Sequence, residues 1–184
     1  MSLVSFLFAR VRAAIVLLLV GLLLFPACFG NGEKKREPAS DFKIGSYTTA
    51  NVLPEGESSF SQVLALKKPV VLNFWGGDCP PCREEMPDFQ DVANRFADQV
   101  IFVGVDVGPF VGLGTHEQAK SLLKEFDITY PTGYAIDDAA VRAYNIPGLP
   151  ITLLIDKQGR VAKTKTGLYR ESDLTNDLEK LLAE

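Results

Sequence analysis

Histidine and cysteine are scarce in this chain. Among 184 residues there is one histidine, His116, and there are three cysteines, Cys28, Cys79 and Cys82. A structural zinc site takes four nitrogen or sulfur ligands, and His116 stands far in sequence from the cysteines, so no metal is expected. Positive charge is thin as well. Arg10 and Arg12 are the only charged residues among the first thirty, which leaves 17 basic against 23 acidic side chains in the remainder. That balance gives no reason to expect nucleic acid as a partner. Glycines gather in Val107 to Gly114, VGPFVGLG, but the Lys-Ser/Thr ending of a phosphate-cradling loop is missing, so nucleotide binding has no support. The segment reads instead as a loop insertion at one end of a sheet.

What the chain does have is one long apolar run, placed at its start. Arg10 and Arg12 precede Ala13 to Phe25, and Pro26-Ala27-Cys28 follows. Basic residues before an apolar run resemble a secretory signal. The run is short for a spanning helix, which needs about 20 apolar residues, although Val11 to Phe29 would make an uncleaved anchor. Either way the rest of the chain is expected outside the cytoplasm. The small residue before Cys28 resembles the lipobox of bacterial lipoproteins, with Cys28 as the lipidated residue, although Phe25 and Pro26 depart from that pattern. The expected organisation is a signal or anchor over residues 1–28, a polar tether over 29–40 and one domain over 41–184. The overall composition, 47% hydrophobic and 23% charged, suits one such domain with an extension.

The remaining cysteines sit three apart in LNFWGGDCPPCREEMP, residues 72–87. A bridge between them would close a tiny loop and constrain the unfolded chain very little, so it has small value as a structural staple. In an exported protein it reads as a bond made to be opened and closed.

Hydrophobic periodicity places this pair between a strand and a helix. Val70 to Trp75 is apolar except for Asn73, as in a strand covered on both faces. From Pro80 to about Asp98 the residues Met86, Phe89, Val92, Ala93 and Phe96 recur at helical spacing, with Pro87 expected to kink the helix by removing an N–H. Val100 to Val107 is a second buried run, completing a strand-helix-strand unit. Ser58 or Ser59 can cap a short helix, Thr115 a helix ending near Phe126, and Asp137 or Asp138 another ending near Asn145. Asp156-Lys157-Gln158-Gly159 marks a hairpin between Ile151–Ile155 and Val161–Thr166. Glu171 to Leu182 closes the chain as an amphipathic helix.

The combination of FWGGDCPPCREEMP, VGVDV and GLPITLLIDKQGRV followed by TG resembles the membrane-tethered thioredoxin-like proteins of the TlpA, ResA and DsbE type, over roughly residues 39–184. The resemblance implies an α/β thioredoxin-like fold: a central mixed β-sheet flanked by helices. It also implies a thiol:disulfide oxidoreductase with no cofactor beyond a redox-active Cys79–Cys82 disulfide. Its partners would be exported proteins carrying disulfides, apocytochrome c among them, and a membrane thiol reductant as electron donor.

Cys79, immediately before the helix, faces unpaired N–H groups and the positive end of the helix dipole, which favour a thiolate nucleophile. Cys82 follows as the resolving thiol. Pro80 and Pro81 suit the first helical turn and withhold two N–H donors from Cys79, so the pair leans toward a reductant. Glu85, one turn beyond Cys82, reads on its own either as a proton carrier or as an acid placed near a helix N-terminus; the resemblance favours the carrier. Asn73 stands where thioredoxin itself has a buried acid. X–Pro bonds are mostly trans, but the resemblance places Pro150 as a cis proline opposite the cysteines, with Leu149 where many relatives have Thr. Leu149, Pro150 and Trp75 are the expected substrate contacts, Trp75 reading equally well as a core aromatic. His116 is given no chemistry.

Two alternatives belong to other classes. A peroxiredoxin has a related fold, but Gly76 stands three before Cys79 where its Thr-x-x-Cys signature has Thr. A copper-delivery protein of this fold uses a longer CxxxC spacing and a partner histidine.

Overall fold

The computed structural model describes residues 35–48 and 52–184. The expected signal or anchor, Cys28 and the first part of the tether lie outside the described residues. Among those described, no helix is long and apolar enough to cross a membrane.

Seven strands form one mixed sheet. In chain order the elements are β1 (Lys43–Ser46), β2 (Glu57–Ser59), α1 (Phe60–Leu64), β3 (Val70–Trp75), α2 (Pro80–Arg95), β4 (Ile101–Asp106), α3 (Gly108–Val111), α4 (His116–Glu125), β5 (Thr132–Ala135), α5 (Ala139–Ala143), β6 (Ile151–Ile155), β7 (Val161–Thr166) and α6 (Glu171–Leu182). The strand order is β2-β1-β5-β4-β3-β6-β7. β3, β4 and β5 run parallel, and β1, β2, β6 and β7 extend the sheet antiparallel on either side. This is the central mixed sheet that the resemblance implies.

Side chains alternate across a strand, so continuous apolar runs in β3 and β4 bury both faces. Val71 and Trp75 join Cys82, Met86, Phe89 and Val92 of α2, with Leu122 of α4 and Leu174 of α6. Val70, Leu72 and Phe74 pack the other face with Phe60 and Val63 of α1 and Ala140 of α5. Helices therefore cover the sheet on both sides, and the helix that starts at Cys79 lies on the Val71/Trp75 face.

Several local expectations hold with modified detail. Helix α2 runs unbroken through Pro87. Thr115 caps α4 and accepts the Gln118 N–H, while at α5 the Asp137 carboxylate accepts the Ala139 N–H. Gly159, at φ +78°, turns the hairpin. The expected loop insertion after β4 contains one helical turn, α3, stopped by Gly112 in the left-handed region at φ +71°.

Strands β1, β2 and β5 have no expectation behind them. Glycines enable the β1/β5 pairing: a Cβ on Gly133 would lie 2.4 Å from the Gly45 carbonyl oxygen, and one on Gly45 would strike the Tyr134 ring. Glycine weakens the β signal that these segments would otherwise send.

Residues 36–40 belong with the domain rather than with the polar tether to which the sequence assigns them. Pro38 bridges to Arg160, Ala39 N–H donates to the Gly159 carbonyl and Val161 N–H donates to the Glu37 carbonyl. Arg36 pairs with Asp156 and Glu184. Burial opposes the Asp156 charge, but the Arg160 N–H and the Arg36 and Arg160 guanidinium groups outweigh it and hold this carboxyl below its ordinary range.

Candidate active site

The strand-to-helix switch at the end of β3 builds the site. Parallel pairing with β4 ends at Trp75 opposite Asp106, and the chain then turns through Gly76-Gly77-Asp78. Cys79 is the N-cap of α2 in an extended conformation, with Pro80 and Pro81 in the first helical turn. Both glycines are required by crowding. A Cβ on Gly76 would lie 2.5 Å from the Leu113 carbonyl oxygen, and one on Gly77 would lie 2.4 Å from Ala119 N. The turn is tied down where Asp78 N–H donates to the Leu113 carbonyl at 2.9 Å.

Cys79 and Cys82 are joined as a disulfide with Cα atoms 5.3 Å apart. Cys79 is 3% exposed and Cys82 0%, so an incoming group meets Cys79 first. Cys82 N–H lies 3.3 Å from Cys79 Sγ. It is the one backbone donor to that sulfur among the described residues, because prolines occupy the two positions between.

Behind the disulfide, Glu85 is almost wholly buried on the inner face of α2. Its Oε1 accepts Asn73 Nδ2 at 2.8 Å and its Oε2 accepts the Tyr169 N–H at 3.0 Å. Asn73 donates also to Thr152 Oγ1 at 3.1 Å, which ties β3 to β6. Burial pushes the Glu85 carboxyl up to about 7; the Tyr169 and Asn73 donors pull against that push, and the Asp88 charge adds to it. A buried carboxyl that titrates near neutrality one turn behind Cys82 can hold or release a proton during exchange. Glu84 faces away and pairs with Arg170 at the surface.

The Leu149–Pro150 bond is cis. Leu149 is half-buried and its Cδ1 reaches to within 3.2 Å of where a Gly76 Cβ would stand, so it borders the active-site turn. Trp75 needs correction as a substrate contact. Its side chain has no exposed surface, and it shares an apolar cluster with both cysteines, so it packs around the disulfide instead of meeting a partner.

His116, at the start of α4, has partners that sequence reasoning did not anticipate. Its Nδ1 lies 3.1 Å from Asp106 Oδ2 and 2.6 Å from the Tyr47 hydroxyl, which itself donates to Asp106 Oδ2 at 2.8 Å. Asp106, fully buried, also accepts the Gly108 N–H at 2.9 Å. No group of three or more histidine, cysteine or acidic side chains suited to a metal occurs among the described residues.

Sequence reasoning missed Thr152, Tyr169 and Asp106 as parts of these networks. A signal existed for two of them: Asp106 and Thr152, like Asn73, are polar residues inside otherwise apolar, fully buried strands. Such a residue must find a partner. Tyr169 acts through its backbone and leaves no such mark.

Comparison with known proteins matches this geometry. The thiol-disulfide oxidoreductase ResA of Bacillus subtilis (strain 168) is 31% identical over 167 residues, covering 88% of this chain and 87% of the relative. Among solved structures, a DsbF homologue from Corynebacterium diphtheriae aligns with TM-score 0.65 and 29% identity over 81% of this chain and 89% of that one. The exposed lipoprotein thioredoxin Etrx1 of Streptococcus pneumoniae strain TIGR4 aligns with TM-score 0.63 and 22% identity over 77% of this chain and 100% of that one. The model of the AhpC/TSA family matches residues 36–164. With its CxxC disulfide at the head of α2, the chain belongs to the AhpC/TSA family and, within it, to the ResA-type thiol-disulfide oxidoreductases.

Proposed function

We propose that this oxidoreductase works outside the cytoplasm, tethered to a bacterial membrane through its N-terminus, and reduces disulfides in exported proteins, apocytochrome c among them. A membrane thiol reductant returns it to the dithiol. Cys79 thiolate attacks a substrate sulfur, forming a mixed disulfide and releasing one substrate thiolate. Cys82, giving its proton to Glu85, attacks the Cys79 sulfur, releases the second thiolate and closes the Cys79–Cys82 disulfide. Two electrons have then passed to the substrate, and the donor dithiol supplies two in return.

The observation that carries the reductive direction is the single backbone donor at Cys79 Sγ. A thiolate held by few hydrogen bonds is weakly stabilised, which disfavours the reduced form and lowers the potential. Export and tethering rest on Arg10, Arg12, the apolar run that follows and Cys28; the lipoprotein relative supports the same placement. A potential near about −270 mV is expected, and one near about −120 mV would reverse the direction. Trapping in cells with Cys82→Ser is expected to leave apocytochromes attached to Cys79. A broad range of secreted proteins there would replace the maturation role with general disulfide handling.

A further inference from the structure

We propose that Phe110 is a docking anchor for protein substrates, receiving an apolar side chain next to the cysteine of the extended substrate segment under attack at Cys79. This rests on thiol-disulfide exchange at Cys79 and adds to it a preference among substrates.

Two large apolar side chains stand out as exposed among the described residues: Leu66 at 50% and Phe110 at 39%. Leu66 precedes β3, at the opposite end of that strand from the cysteines. Phe110 lies on α3, and contacts to the active-site turn bracket it on both sides. Before it, the Gly108 Cα approaches to 3.0 Å from the position of a Gly76 Cβ; after it, the Leu113 carbonyl accepts the Asp78 N–H at 2.9 Å. Leu149 borders the same Gly76. The active-site turn that leads into Cys79 therefore has Leu149 against it from one element and the segment that displays Phe110 against it from another.

The display is built with unusual support for a four-residue helix. Its first N–H is held by the fully buried Asp106 carboxylate, which is in turn held by Tyr47 and His116. The His116 ring rests against Tyr134 at 4.8 Å between centroids. Tyr47 just after β1, strands β4 and β5 and the start of α4 thus converge to fix one short turn packed on the active-site turn. A buried charge with several donors fixes geometry more than it adds stability. An apolar side chain left in water on so rigid a mount loses little entropy on binding, which favours a partner that covers it.

The partner that fits is a protein chain with a Leu, Phe or similar residue flanking its disulfide cysteine. A small disulfide without such a side chain would not use the anchor. The test is rapid mixing of reduced full-length protein with two peptide disulfides, one with Leu and one with Ser beside its cysteine, and with oxidised glutathione. Phe110→Ser is expected to raise the half-saturating concentration of the Leu peptide roughly tenfold, with the limiting rate unchanged. The Ser peptide and glutathione rates should not move, and Phe110→Leu should restore the wild-type value. An equal shift for both peptides, or no shift for the Leu peptide, overturns the anchor. Wild-type protein that exchanges with neither peptide nor glutathione would instead overturn the exchange reading, and the anchor with it.

Discussion

Asn73 Nδ2 lies 2.8 Å from Glu85 Oε1, and this bond joins the middle of β3 to the helix that begins at Cys79. Its consequence is electrostatic. An amide N–H at a carboxylate favours the charged form, whereas the surrounding apolar packing favours the neutral one. The two effects leave the carboxyl at about 7, burial prevailing.

That balance makes stability depend on pH in a stated direction. The Glu85 value is raised from about 4.5 to about 7, so above about 4.5 the unfolded chain gives up a proton that the folded chain keeps. Stability should therefore fall as pH rises between these values and level off above the upper one. The interval corresponds to roughly 3 kcal/mol at most. Urea unfolding between pH 4.5 and 8 should show this slope in the wild type and lose most of it in Glu85→Gln. The same variant should flatten the pH dependence of Cys82 reactivity. An unchanged slope would remove Glu85 from the proton path.

Replacing Asn73 by Ala deletes a donor to the charged form of Glu85 while leaving the carboxyl in place. Its titration should then move upward, above about 7. Carboxyl chemical shifts followed against pH would show it, with the rate profile for disulfide exchange moving the same way. A downward movement would mean that water had entered and replaced the amide.

The redox potential of the cysteine pair can be shifted at Pro81. Cys79 is the N-cap, so the N–H groups able to reach its sulfur are those two and three residues on. Pro81 has none, and Cys82 supplies the other. Pro81→Ala restores a donor, and a hydrogen bond to a charged group is worth about 1.5 kcal/mol. The thiolate should form about one pH unit lower and the potential should rise by about 30 mV. Alkylation rates against pH and equilibration with a glutathione buffer measure the two effects separately.

The domain should begin at Arg36. A chain starting at residue 36 keeps the Ala39–Gly159 and Glu37–Val161 hydrogen bonds and the Arg36 ion pairs, and one starting at residue 41 loses them all. The ion pairs are partly exposed and contribute little, so the backbone bonds dominate, at about 1 kcal/mol each. Thermal unfolding of the shorter chain should occur several degrees lower.

These residues show what sequence could and could not disclose. Elements with strong periodicity, β3, α2, β4 and α6, were legible because burial on two faces or one stripe writes itself into residue order. The disulfide and its proline-bearing helix start were legible for the same reason of local spacing. Strands β1, β2 and β5 were not, because three or four residues, with a glycine in β1 and in β5, carry no pattern and exist only through their neighbours. The partners of Glu85 and His116 come from distant elements, so only the presence of a lone polar residue in a buried strand hinted that a partner was needed.

Gly76 offers a test of the peroxidase alternative as well as of the turn. A peroxiredoxin signature would place Thr there, but a Cβ at this position would sit 2.5 Å from the Leu113 carbonyl oxygen and 3.0 Å from the Gly108 Cα, both backbone atoms. Neither can swing aside as a side chain tip would, so the β4–α4 segment must move as a unit. Movement there breaks the Asp78–Leu113 hydrogen bond and the mount of Phe110 together. Gly76→Thr is therefore expected to cost about 1–3 kcal/mol of stability, to slow disulfide exchange and to confer no hydroperoxide turnover. Faster exchange of the Asp78 amide hydrogen would locate the damage. Hydroperoxide turnover by this variant would show instead that the turn tolerates the side chain and that the glycine is a choice of chemistry and not of space.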